Sequence, residues 1–144
     1  MKHYTELLKI GIPVPKTDLM YEPQKRWNGM ENWGLFLFKP ESLMIGESEG
    51  EQYRFDLVRL VTHEMAHSWF GNLVTCTWWN FLWINEGLTN FMSYVGIAHM
   101  EPGLKPWERF YVREMQMAMY RDGNMTDHLP PHTSLSGRAN HSPA

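Results

Sequence analysis

The chain has 144 residues, 43% of them hydrophobic and 20% charged, with a formal net charge of −3. That is enough for one modest domain with a real core. The absence of a basic block argues against a nucleic-acid partner, and no uninterrupted apolar run approaches the roughly 18–20 residues of a membrane span.

In chain order, "KHYTELLKIG" is a short helix candidate that ends at Gly11. His3, Thr5, Glu6 and Lys9 interrupt any apolar stretch there, so this end reads as carrying no signal peptide. "IPVPKTDLMYEPQKRW" holds three prolines and reads as an extended connector. "WGLFLF", 33–38, has strand composition without alternation, which predicts a strand buried on both faces. A Glu- and Gly-rich loop follows. Residues 51–70 are then expected to be helical, with Phe55, Val58, Val61, Met65 and Trp69 as the inner stripe and Gly71 as the C-terminal cap. Residues 74–78 suggest a short extended stretch around Cys76, a lone cysteine that forms no internal disulfide.

A further helix is expected from Asn85, which would cap it, with Leu88, Phe91, Met92 and Val95 facing inward. Another runs from Pro106 to about Arg121, with Trp107, Phe110, Tyr111, Met115 and Ala118 inside. From Asn124 onward Pro, Ser, Thr and Asn dominate, so 1–123 is read as the domain and 124–144 as a disordered tail. No internal repeat is present. The fold class is mainly α with a small β element. Seven Trp and eleven Met suit a bulky interior, or a piece of a larger one.

The chemistry concentrates in "VTHEMAHSWFGN", 61–72. On a helix, four residues advance about 40° beyond a full turn, so His63 and His67 share a face. Their ring nitrogens can converge on one Zn²⁺, an ion that favours nitrogen and tolerates carboxylate. Glu64 lies about 100° from one His and about 60° from the other, beside the metal, where it suits a base acting on water. A catalytic zinc takes three protein ligands and keeps the fourth position for water. Glu86, in "WINEG", is the candidate third ligand, and Asn90, one turn on, a candidate supporting partner. The same His–Glu spacing also describes a solvated helix face. Here, however, Val61, Met65, Trp69 and Phe70 surround it, and burying such groups unpaired costs on the order of 2–7 kcal/mol each. Coordination removes that cost.

"HEMAHSWFGNLVT" followed by "WWNFLWINEG" resembles the signature of the aminopeptidase N family of gluzincin zinc aminopeptidases, and "NGMENWGL", 28–35, resembles its Gly-Ala-Met-Glu-Asn exopeptidase motif. The three blocks stand in the family's order, and the resemblance covers about residues 4–122. It implies part of a thermolysin-like zinc metallopeptidase catalytic domain, one zinc per chain, and peptides with a free N-terminus as substrates. It further implies His63, His67 and Glu86 as ligands, Glu64 as general base, Glu31 as the anchor of the substrate amine, and Gly29 and Met30 as main-chain contacts. A peptide could pair with an edge of "WGLFLF".

Asn28 and Gly29 replace the usual Gly-Ala pair. The family's transition-state tyrosine lies farther beyond the Glu ligand than this chain extends, and Tyr94, Tyr111 and Tyr120 are not in its motif. One missing oxyanion donor costs about 100- to 1000-fold in rate. The expectation is therefore a fragment of a larger enzyme. Three readings compete: a zinc aminopeptidase or its catalytic core, a catalytically weak zinc-binding remnant with a binding or regulatory role, and a thermolysin-like endopeptidase. His128 and His132 do not suggest a second site, because Pro130 and Pro131 forbid a helix between them. Asn124-Met-Thr and Asn140-His-Ser match the glycosylation acceptor pattern, which also arises by chance. The compartment stays open, since the family includes membrane-anchored ectoenzymes and soluble intracellular members.

Overall fold

The computed structural model describes residues 1–24, 27–43 and 50–124. Its elements are α1 (Lys2–Leu8), β1 (Asp18–Tyr21), β2 (Gly29–Asn32), β3 (Leu35–Phe38), α2 (Pro40–Leu43), α3 (Glu51–His67), α4 (Leu82–Met100), α5 (Pro106–Phe110) and α6 (Gln116–Gly123). A π-helical turn, Tyr111–Met115, joins α5 to α6. The expectation of a mainly helical chain with a small β element holds.

The frame is the packing of α4 against α3. The two run antiparallel: Arg54 reaches Glu101, Arg59 reaches Asn90, and the Thr62 hydroxyl lies 3.2 Å from the Ser93 carbonyl. Small and polar residues let the backbones approach. A Cβ at Gly96 would collide with the Tyr4 hydroxyl and press on Thr62, so glycine is required by the contact. The polar groups buried in this seam are satisfied locally. Thr62 donates to the Val58 carbonyl at 2.8 Å, Ser93 to that of Asn90 at 2.6 Å, and Tyr4 across the seam to that of Met92 at 2.7 Å.

Two apolar clusters clamp the pair. Tyr4, Ala66, Trp69 and Met92 pack at one end, and Phe55, Tyr94, Ile97 and Leu104 at the other. Burying one large apolar side chain contributes about 1.5–3 kcal/mol, so these clusters carry most of the cohesion. Trp69 also donates its indole N–H to the Ile10 carbonyl at 2.8 Å, pinning the segment after α1.

The three strands form one sheet in the order β1-β3-β2, with β1 parallel and β2 antiparallel to β3. Trp33 and Gly34 close the β2–β3 hairpin, Gly34 with φ of 72°. Glu31 pairs with Phe36, which puts β2 beside α3 and at the rim of a cleft.

Several expectations are corrected. The first helix stops at Leu8 because Lys9 takes the left-handed conformation, so Gly11 is not its terminator. The extended connector contains β1, whose side chains are all exposed. β3 is buried on one face through Phe36 and Phe38, while Leu35 and Leu37 are only half-buried. It is also the central strand, so the edge beside the cleft belongs to β2 rather than to "WGLFLF". α3 ends at His67, four residues before Gly71, and only an isolated bridge between Phe70 and Val74 follows. α4 begins at Leu82, and Asn85 lies buried inside its first turns instead of capping it. Its inner face is Asn85, Thr89, Met92, Ser93, Gly96 and Ile97, whereas Leu88 and Phe91 are exposed. The last helix likewise exposes Trp107, Tyr111, Met115 and Ala118, leaving Phe110 as its inner anchor. The tail expectation, with Asn140, His128 and His132, falls outside the described residues.

Candidate metal centre and cleft

His63 and His67 stand one turn apart near the C-terminal end of α3, and Glu86 faces them from the second turn of α4. The two Nε2 atoms lie 3.1 Å apart. Glu86 Oε2 lies 3.5 Å from His63 Nε2, and Oε1 lies 3.7 Å from His67 Nε2. A tetrahedral zinc with bonds of about 2.0–2.2 Å separates its ligand atoms by roughly 3.3–3.6 Å. The donor triangle therefore fits a single zinc with little adjustment.

The orientation of His67 is fixed from behind. Its Nδ1 lies 2.9 Å from the Phe70 carbonyl, an acceptor only, so Nδ1 carries the proton and Nε2 presents its lone pair to the triangle. Thr89 buttresses the same carbonyl at 3.2 Å and Nδ1 at 3.3 Å. Asn90, expected as a supporting partner, instead accepts from Arg59 at 2.9 Å. Gly71, with φ of 132°, gives the chain its turn after α3, and a Cβ there would sit 3.2 Å from His67 Nδ1.

Glu64 is buried on the same helix. Burial, and then the charges of Glu31 and Glu86, push its carboxyl up to about 8. Glu86 is held below the usual carboxylate range by the hydrogen bond with His63, against some burial, with help from the charges of His67 and His63. Two carboxylates in one cleft thus have opposite protonation preferences, which separates a proton-transfer group from a ligand.

Glu31 comes from β2. Its carboxylate, that of Glu64 and a ring nitrogen of His67 lie within 4.8 Å of one another. The Asn72 side chain donates to the Glu31 carbonyl at 2.6 Å, which fixes the strand against the turn after α3. Strand alternation turns the main chain of Gly29 the same way as that of Glu31, toward the cleft. The carbonyl of Asn28 turns to Lys39 on the β3 side, and that of Met30 with it. A Cβ on Gly29 would collide with the Glu64 carboxylate, so the bare backbone there is what lets that side chain lie against β2. His63, His67 and Glu86, together with Glu64, Glu31 and the strand residues Gly29 and Met30, line one cleft of about 700 Å³.

The cleft also takes its walls from Trp27, Arg59, Leu60, Trp79 and Leu82. Sequence reasoning passed over these residues. The signal for Arg59 and Leu60 was available, since they stand four and three positions before His63 on one helix. The same holds for Leu82, four positions before Glu86 on α4. Trp27 and Trp79 arrive through turns and carried no such signal. Tyr94 does not line the cleft, and its hydroxyl donates to Glu114 at 2.8 Å. Among the described residues no helix is long and apolar enough to cross a membrane.

A His-Glu-x-x-His helix packed on a second helix that returns a carboxylate defines the class of zinc-type metallopeptidases. The chain belongs to peptidase family M1: the model of the peptidase family M1 domain matches residues 1–137. It is 34% identical over 128 residues to a leucyl aminopeptidase of Saccharolobus solfataricus, covering 89% of this chain and 16% of the relative. It is 39% identical over 112 residues to endoplasmic reticulum aminopeptidase 1 of Mus musculus, covering 77% and 12%. With aminopeptidase N of Lactobacillus delbrueckii subsp. lactis the identity is 36% over 123 residues, covering 85% and 15%. The chain thus spans between 12% and 16% of the length of these relatives.

Proposed function

We propose that this chain carries the zinc centre and substrate-anchoring strand of an aminopeptidase, on a thermolysin-like catalytic core, and acts on peptides with a free N-terminus. The observation that carries the reading is the donor triangle of His63, His67 and Glu86, with the His67 tautomer set by the Phe70 carbonyl. Membership of a family of zinc-dependent peptidases supports it.

When bound, one zinc would polarise the scissile carbonyl and acidify its water. The remaining work falls to side chains of this chain. The charge of a bound cation would favour the ionised form of Glu64 over its metal-free preference for the proton; as a carboxylate beside the ligands it takes a proton from the attacking water and returns it to the leaving amine. Its burial keeps the proton within the cleft between the two transfers. Glu31 pairs with the substrate ammonium, so the bond cut is the one next to the chain end. The outward main chain of Gly29 offers hydrogen bonds to an extended peptide. Met30, whose main chain faces β3, contributes to the cleft wall.

The test compares an unblocked aminoacyl chromogenic reporter with N-blocked peptides on zinc-loaded chain. Hydrolysis of the reporter, and its selective loss in Glu31→Ala, is the expected result. Equal cleavage of blocked peptides would make the chain an endopeptidase, and one bound zinc without any amino acid released would make it a binding remnant.

A further inference from the structure

We propose that Arg59 is a specificity residue that reads a carboxylate on the leaving-group side of the cleft. This rests on the aminopeptidase reading and adds a substrate class to it, namely short peptides with a free C-terminus or peptides with an early acidic residue.

The geometry sets an order along α3. Glu31 gathers with Glu64 and His67 at the C-terminal end of the helix. His63 and Glu86 form the next rung of the α3–α4 seam, and Arg59 with Asn90 the rung after that, one turn farther from His67. Arg59 lines the same cleft. Eight residues of helix separate Arg59 from His67, about 12 Å along the axis. Three extended residues reach about 10–11 Å. A peptide whose amine sits at Glu31 and whose first carbonyl lies at the ligand triangle therefore runs toward Arg59. Its second or third residue arrives there.

Arg59 is also left unsatisfied by its own chain. Its Nε is buried without a hydrogen-bond partner, and one terminal nitrogen is held by Asn90 at 2.9 Å. Among the described residues no carboxylate lies within ion-pair distance of it. Asp56, the nearby acid on the same helix, is already engaged by Arg113 at 2.6 Å and Gln52 at 2.8 Å. A guanidinium held by Asn90 on a cleft wall, with no ion-pair partner among the described residues, keeps its charge and its second terminal nitrogen for a carboxylate.

The experiment uses the full zinc-loaded chain with Glu64→Gln, so that peptides bind without turnover, and calorimetry of three probes: trialanine, trialanine amide, and Ala-Asp-Ala amide. Trialanine is expected to bind about tenfold more tightly than its amide. A similar gain for the Asp peptide would show that a side-chain carboxylate serves as well, and no gain would restrict the site to chain ends. Arg59→Met should bring trialanine and its amide to equal affinity, and Arg59→Lys should keep part of the preference. Asn90→Asp, which supplies an internal carboxylate, should abolish it in a chain that retains Arg59. Equal binding of acid and amide before substitution, or a preference that survives both Arg59→Met and Asn90→Asp, overturns the proposal. Failure of the unsubstituted chain to cleave the aminoacyl reporter, with the carboxylate preference intact, would refute the peptidase reading alone.

Discussion

Two histidine pairs meet α4 near its opposite ends, and only one has the makings of a metal centre. His3 of α1 and His99 of α4 stack face to face, with ring centroids 3.8 Å apart and planes 5° from parallel. His63 and His67 meet edge-on, at 4.7 Å and 88°. Stacked rings hold their in-plane lone pairs in separate parallel planes, so they do not share an ion. The edge-on pair brings two Nε2 atoms to 3.1 Å, and Glu86 closes the triangle with negative charge. Proximity of imidazoles therefore decides little. Convergence of lone pairs, a fixed tautomer and an anionic third donor decide the matter.

The comparison breaks most readily at the ligands. His67→Ala or Glu86→Gln should weaken zinc binding by more than about 100-fold, beyond the range typical of loss of a supporting contact. His3→Ala and His99→Ala should leave zinc content unchanged. Elemental analysis after dialysis reads both. Retention of zinc by the Glu86 variant would remove that carboxylate from the centre.

Glu64→Gln comes next. Turnover should fall by about 100- to 10,000-fold while one zinc remains bound. The same variant has a signature in metal-free chain. Folded, Glu64 keeps its proton up to about pH 8; unfolded, it releases it near 4.5. The folded state therefore binds more protons within that window, and stability from this group is lost as pH rises through it. Urea midpoints of the metal-free chain should decline from about pH 5 to about pH 8, and Glu64→Gln should flatten the decline. An unchanged slope would mean that Glu64 titrates normally.

A smaller effect is expected behind His67. Thr89→Val removes the hydroxyl beside Nδ1 and the Phe70 carbonyl but keeps that carbonyl in place. Zinc affinity should drop by about tenfold, the low end for an outer contact, measured by chelator competition. The smallest effect belongs to the stacked pair. Slight burial and the charge of His99 lower the pKa of His3, with a weaker opposing pull from Glu6. Stability from His3 is thus complete above its ordinary range and is lost as pH falls through its folded value. His3→Gln should remove a slight acid sensitivity of α1 docking without touching zinc.

The centre was legible in the sequence because it is local. Two histidines at i and i+4 must share a helix face, and the return from His67 to Glu86 is long enough for a turn and a second helix. The supporting groups were less legible because they act through tertiary contacts. The Phe70 carbonyl belongs to main chain, and Thr89 reaches His67 only once α4 has docked. Hydrophobicity also pointed to the wrong face of α4. The seam with α3 is built from Thr62, Thr89, Ser93 and Gly96, whose small size permits close approach, so Leu88 and Phe91 fall outside it. β1 and β2 escaped notice because four-residue strands with exposed or half-exposed side chains carry no alternating pattern. Their register is imposed by β3.

The most direct test of the account is X-ray absorption at the zinc edge of the loaded chain. One zinc with two imidazole nitrogens and one carboxylate from the protein, and with light-atom donors only, is the predicted shell. A coordination sphere with one or three imidazoles, or the absence of stoichiometric zinc from well-folded chain, would contradict it.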